Sequence, residues 1–238
     1  MSPTFPRSLD WMREGTDRLL ATVDQLSDDE LAAGSALPGW SRRQVLAHVG
    51  FNAAALRRLA SWARTGTPSP MYASKEQRAE EIREGSCWPA RRVRQFLHDG
   101  ATSLADDLAA LTPQQWSREV VTAQGRTVPA TEIPWLRTRE VVVHAVDLAA
   151  TVDFLDLPVD LCEALVGDIA VLRSARGDGP ALALRSPSGS TWAVTGAGAA
   201  TAVSGEPPEL VGWLTGRRGP DRISVGHDHA APVLGPWL

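Results

Sequence analysis

Arg139-Glu140-Val141-Val142-Val143-His144-Ala145-Val146-Asp147 is the stretch that decides the fold. Its valines and alanine belong on a buried or half-buried surface. Glu140 and His144 stand four positions apart, so on a helix they share one face with Cβ atoms roughly 5–6 Å apart. An uncompensated carboxylate in such surroundings is expensive. A divalent metal, completed by a second histidine from elsewhere, neutralises it economically. Facing helices of a bundle commonly build sites of this kind.

The second histidine is found by working outward. Ser41-Arg42-Arg43-Gln44 has the form of a capping box and opens a helix expected to run to about Thr65. On that helix Val45, His48, Val49, Asn52, Leu56 and Leu59 form one stripe. His48 alone reads as a core histidine, and Glu140 with His144 alone reads equally well as an ordinary i,i+4 pair. Together they supply two imidazoles and a carboxylate, a usual catalytic zinc or ferrous set that leaves positions for water or substrate. Asp147 shares the face of Glu140 and His144, and either orients a ligand imidazole or is a solvated helix-end carboxylate.

Leu9, Met12, Leu19, Leu20, Val23 and Leu26 predict a first amphipathic helix over residues 8–33. A charged helical segment is expected over 75–84. Another helix follows from Pro89, carrying Val93, Leu97, Leu104, Leu108 and Leu111. Thr122–Pro134 reads as polar and turn-rich, and the last long helix is expected over Trp135–Val152. After about residue 155 the texture changes. A helix near Val159–Ser174, a hairpin around Ser186-Pro187-Ser188-Gly189-Ser190, a strand near Ala200–Ser204, a helix over Pro208–Thr215 and a strand near Arg222–Val225 make a small α+β unit. The expected fold class is α+β, with a four-helix bundle over residues 1–154 and a smaller domain over 155–238.

The chain has 238 residues, 43% hydrophobic and 22% charged, with a formal charge of -4. These are ordinary globular values, and the charge gives no reason to expect nucleic acid as a partner. Two cysteines without C-x-x-C spacing argue against a disulfide framework. The first residues lack a secretory pattern, and no run approaches the roughly 20 apolar residues of a membrane helix. The expectation is a soluble, cytoplasmic protein without membrane contact; its oligomeric state stays open, with a monomer compatible with the sequence.

Other candidates are weaker. His227-Asp228-His229 is a competing metal motif but reads as a surface loop, and His98 reads as structural. Cys87 and Cys162 have no histidine pattern that would make either a nucleophile. Arg78 and Arg217 stand out by position, since an arginine fork holds carboxylates bidentately, although the default for each is a solvated surface residue.

Several runs resemble the mycothiol-dependent maleylpyruvate isomerase family. They are Leu37-Pro38-Gly39-Trp40-Ser41, Val45–Ala53, Thr122-Ala123-Gln124-Gly125-Arg126-Thr127-Val128-Pro129-Ala130, Arg139–Leu148 and Pro236-Trp237-Leu238. The resemblance implies a DinB-like four-helix bundle followed by a sterol-carrier-like α+β domain. It implies zinc, or another divalent metal, on His48, Glu140 and His144, and it matches the family's two arginines to Arg78 and to the Gly216-Arg217 turn. Arg218 is adjacent, and which of the pair enters the site stays open.

The implied reaction is conversion of maleylpyruvate to fumarylpyruvate, a late step in gentisate breakdown. A metal-bound thiolate of mycothiol adds to the conjugated double bond, the resulting single bond rotates, and the thiolate leaves. Arg217 and Arg78 would hold the substrate carboxylates and stabilise the developing enolate. Two other readings remain: a mycothiol S-transferase acting on another electrophile, which consumes its thiol, and a non-catalytic metal- or ligand-binding protein.

Overall fold

The computed structural model of the protein describes residues 3–226 and 230–237. The chain divides into a first compact unit, Thr4–Val152, and a second formed chiefly by the chain from Asp153 onward. Among the described residues no helix is long and apolar enough to cross a membrane.

The first unit contains α1 (Phe5–Gln25), α2 (Asp28–Ala32), α3 (Arg42–Thr65), α4 (Lys75–Ser86), α5 (Ala90–Ala109) and the short α6 (Pro113–Trp116). A hairpin of β1 (Glu119–Val121) and β2 (Thr127–Pro129) then leads through a 3-10 turn into α7 (Ile133–Asp147). α1, α3, α5 and α7 are the four-helix bundle, with α1 against α7 and α5, and α3 against α5 and α7. Leu56, Leu59, Leu104, Leu108, Ile133 and Leu136 lie in its core. Two glycines set the spacing. A Cβ on Gly15 would stand 2.7 Å from the Val142 side chain, and one on Gly50 would stand 2.6 Å from the Phe96 ring.

Three expectations needed adjustment. Residues 8–33 are two helices, because Ser27 and Glu30 form a capping box that starts α2 after an extended Leu26. The segment over Thr122–Pro134 is less irregular than expected: Val120 and Val128 are buried and tie a hairpin to the core. α7 stops at Asp147 rather than Val152 because its last carbonyls are satisfied from outside. The Ala36 N–H donates to Asp147 O at 2.8 Å, and the Arg42 guanidinium donates to Leu148 O and Ala149 O. The expected α3 stands as read, capped by Ser41 and Gln44 and closed by Gly66 at φ 79°.

The second unit has α8 (Val159–Arg176), β3 (Pro180–Arg185), β4 (Thr191–Val194), β5 (Ala197–Ser204), α9 (Pro207–Leu214) and β6 (Ser224–Val225). Its sheet order is β4-β3-β5-β6, antiparallel except for the parallel β3/β5 pair. α8 packs on α9 and on β4. A helical bundle and a small sheet unit with its own helices make the class α+β.

Candidate metal centre

α3 and α7 lie side by side, and the two stripes read from the sequence meet. His48 Nε2 is 2.9 Å from Glu140 Oε2, and His144 Nε2 is 3.5 Å from the same oxygen. The two imidazole rings stand edge to face with centroids 4.8 Å apart. One ligand atom from each of the three residues falls within 4.8 Å of the others. A tetrahedral ion with bonds of about 2.1 Å needs donors roughly 3.4 Å apart, so only small side-chain adjustments separate this cluster from a coordination sphere.

Asp147 completes the arrangement on α7. Its side chain is fully buried, and Oδ2 lies 2.8 Å from His144 Nδ1. A carboxylate there keeps a proton on Nδ1 and turns Nε2 toward Glu140 and His48. Of the two readings open for Asp147, the buried orienting carboxylate is the observed one.

The electrostatics keep the carboxylate of the cluster ionised. Burial by itself would raise the Glu140 carboxyl, but hydrogen bonds from His144 and His48 outweigh it and hold Glu140 well below the usual range. For His144, burial pulls down, yet Asp147 and Glu140 together lift it to about 9. His48 is lowered, mainly by burial, against the pull of Glu140. At neutral pH the metal-free site therefore carries a proton on His144, and metal entry must displace it.

Two neighbouring groups were not singled out as part of the site. Arg137, one turn before Glu140, is buried and donates from Nη1 to Val49 O at 2.8 Å and to Asn52 Oδ1 at 2.9 Å. Burial lowers it to about 10, while Glu140 pulls the other way. The pair Asn52–Arg137 thus forms the rung beneath His48–Glu140, and the spacings 48/52 and 137/140 were the signal available. Tyr72 is the other. Arg78, on α4, lies with its guanidinium carbon 5.8 Å from the Tyr72 ring centroid and Nη2 3.3 Å from His48 Nδ1. Nothing in the spacing around Tyr72 marked it.

The first unit therefore brings together His48, Glu140, His144 and Arg78. The mycothiol maleylpyruvate isomerase N-terminal domain model matches residues 12–149. A crystal structure of the mycothiol-dependent maleylpyruvate isomerase is 34% identical, covering 96% of this chain and 95% of that one at a TM-score of 0.91. The chain belongs to the mycothiol-dependent maleylpyruvate isomerase family. A histidine-to-alanine mutant of that isomerase matches with the same identity, coverage and TM-score. Comparison with curated proteins returns no match.

Arg217 lies in the second unit, donating to Thr215 O at 2.7 Å with its guanidinium carbon 5.9 Å from the Trp237 ring centroid. Arg218 is engaged by two carboxylates of its own unit, Glu209 and Asp153, and folds over Gly212, where a Cβ would stand 2.7 Å from it. His98 pairs with Asp24 at 2.9 Å, in keeping with a structural role. Cys162 is buried and its thiol is pushed up to about 12, chiefly by burial, while Cys87 is exposed. His227, Asp228 and His229 lie outside the described residues.

Proposed function

We propose that this protein catalyses the mycothiol-dependent cis-to-trans isomerisation of maleylpyruvate to fumarylpyruvate, with a divalent metal, most simply zinc, held by His48, Glu140 and His144. The observation that carries the reading is the convergence of two imidazoles on a buried carboxylate, one imidazole already oriented by Asp147, in a chain of this family. Bound there, the metal supplies a positive charge that keeps a thiol deprotonated at neutral pH, and the thiol supplies reversible addition to the conjugated double bond.

The protein's own groups do the rest. Asp147 holds the proton on His144 Nδ1. His48, to present Nε2 as a ligand, must carry its proton on Nδ1. Arg78 has only protons to give, so it then loses the acceptor it faces in the metal-free site. Its guanidinium is thereby released to hold a substrate carboxylate, while Tyr72 limits where it can go. Arg217 of the second unit is assigned the other carboxylate and the charge that develops as the double bond is lost. Neither cysteine takes part.

Metal analysis of the purified protein tests the ligand set. Wild-type protein is expected to hold about one divalent ion per chain, and His48→Ala and His144→Ala to release it and lose turnover. Full activity in a wild-type preparation free of stoichiometric metal would refute the proposal.

A further inference from the structure

Arg217 leaves α9 at a fixed point. Gly216 stands at φ 75°, its N–H donates to Trp213 O at 2.9 Å, and Arg217 N–H donates to Gly212 O at 2.9 Å. That is the Schellman pattern, with glycine in the left-handed position and Arg217 as the residue after it. The turn fixes the backbone of Arg217 but not its side chain, whose long stem has many rotamers to lose when it is held in one place. A guanidinium that must meet a carboxylate in one geometry needs further support.

The segment Gly235-Pro236-Trp237 supplies it within the same unit. Buried Arg173 of α8 donates from Nη2 to Leu214 O at 2.6 Å and to Gly235 O at 3.0 Å, so one nitrogen ties the last turn of α9 to this segment. Arg176, three residues further along α8, donates from Nη1 to Pro236 O at 2.6 Å and to Trp237 O at 3.2 Å. Three consecutive carbonyls are thereby pinned. Gly235 and Pro236 are exposed, whereas the Trp237 side chain turns inward and is buried. Its indole N–H has no acceptor among the described residues, so the pinned backbone and packing hold the ring, not a hydrogen bond of its own. The Arg217 guanidinium carbon stands over that ring, 5.9 Å from its centroid. This is within the roughly 6 Å over which a cation is drawn to an aromatic face, and indole offers the strongest such face. With Nη1 on Thr215 O at 2.7 Å, the guanidinium is restrained from two sides.

We infer that Trp237 is a positioning residue for Arg217, its indole face, held in place through Arg173 and Arg176, setting where the guanidinium meets the substrate carboxylate. This rests on the substrate-binding role proposed above for Arg217. It gives the Pro236-Trp237 run a part in turnover without contact with the reacting atoms.

Steady-state kinetics of metal-loaded protein test it, with maleylpyruvate varied at saturating mycothiol and then the reverse. Trp237→Ala should lower kcat/KM for maleylpyruvate by about 3- to 30-fold, the range a cation–π contact spans between exposed and desolvated settings. KM for mycothiol and metal content should not change. Trp237→Phe should recover part of the loss, because phenyl keeps a weaker face. Arg176→Met, at an exposed position, frees two of the pinned carbonyls without altering the ring and should shift kcat/KM in the same direction. In an Arg217→Ala background Trp237→Ala should add less than about a twofold loss, since the residue it positions is gone. Wild-type kcat/KM in folded Trp237→Ala, beside a severe defect in Arg217→Ala, would overturn the inference and leave the Arg217 assignment standing. Losses that multiply in the double variant, or an equal rise in KM for mycothiol, would also overturn it, since Trp237 would then serve the fold alone. If Trp237→Ala does not fold, wild-type kcat/KM in Arg176→Met overturns it instead. Near-normal turnover in Arg217→Ala would remove the Arg217 assignment and this inference together.

Discussion

Replacing Asp147 with asparagine tests how the metal centre is held. The carboxylate is fully buried and lies 2.8 Å from His144 Nδ1, so its role is read directly from geometry. Asparagine has the same shape, and its amide oxygen can still accept from Nδ1, but it brings no charge. It can also turn its amide group and offer a donor, which favours the tautomer with the proton on Nε2, the ligand atom. Loss of such an orienting carboxylate typically costs about 10–100-fold in metal affinity, roughly 1.4–2.7 kcal/mol. Retention of shape places Asp147→Asn near tenfold, and Asp147→Ala near the upper end. Competition with a chromophoric chelator measures the affinity, and thermal unfolding of the metal-free proteins separates it from folding. Turnover at saturating metal should recover in Asp147→Asn more than in Asp147→Ala. A folded Asp147→Asn protein with wild-type metal affinity would refute the orienting role.

The pH dependence of the metal-free protein follows from His144. Its folded value of about 9 lies above the ordinary 6.5, so its contribution to stability is fully present below pH 6.5. It is lost as pH rises through about 9, a change on the order of 3 kcal/mol. Urea unfolding of metal-free protein at the two ends of that window should show the fall, and a flat profile would contradict the assigned proton. Arg217→Ala should keep metal yet lose about 10²–10³ in kcat, with Arg217→Lys recovering only part; near-normal turnover would remove it from the site. Arg218→Ala should instead lower the stability of the second unit by about 2 kcal/mol, because Glu209 and Asp153 lose their shared partner. Cys87→Ser and Cys162→Ser should remain active in the presence of added thiol, singly and together, as progress curves will show.

Much of the site was legible because it obeys helical spacing. Glu140 and His144 had to share a face, and the stripe Val45, His48, Val49, Asn52 had to be buried if α3 was amphipathic. The Ser41/Gln44 capping box marked where α3 begins, and both features depend only on local geometry. What was missed depends on contacts between distant segments. The end of α7 is set by Arg42 and by the Ala36 N–H, more than a hundred residues earlier. The hairpin of β1 and β2 has two buried valines and otherwise exposed or half-buried residues, too little alternation to announce strands. Ser27-Asp28-Asp29-Glu30 did carry a capping signature, and the break after α1 could have been read from it. Arg137 escaped notice because a mid-helix arginine ordinarily faces water. Only the α3 carbonyl and amide it reaches explain its burial.

The central claim is tested most directly by a progress curve of maleylpyruvate with purified, metal-loaded protein, with a substoichiometric amount of mycothiol and without it, the thiol being titrated at the end. The account predicts no turnover without thiol, fumarylpyruvate formed in large excess over the thiol added, and the thiol recovered intact. Turnover without thiol, or consumption of one thiol for each substrate as in an S-transferase, would contradict it.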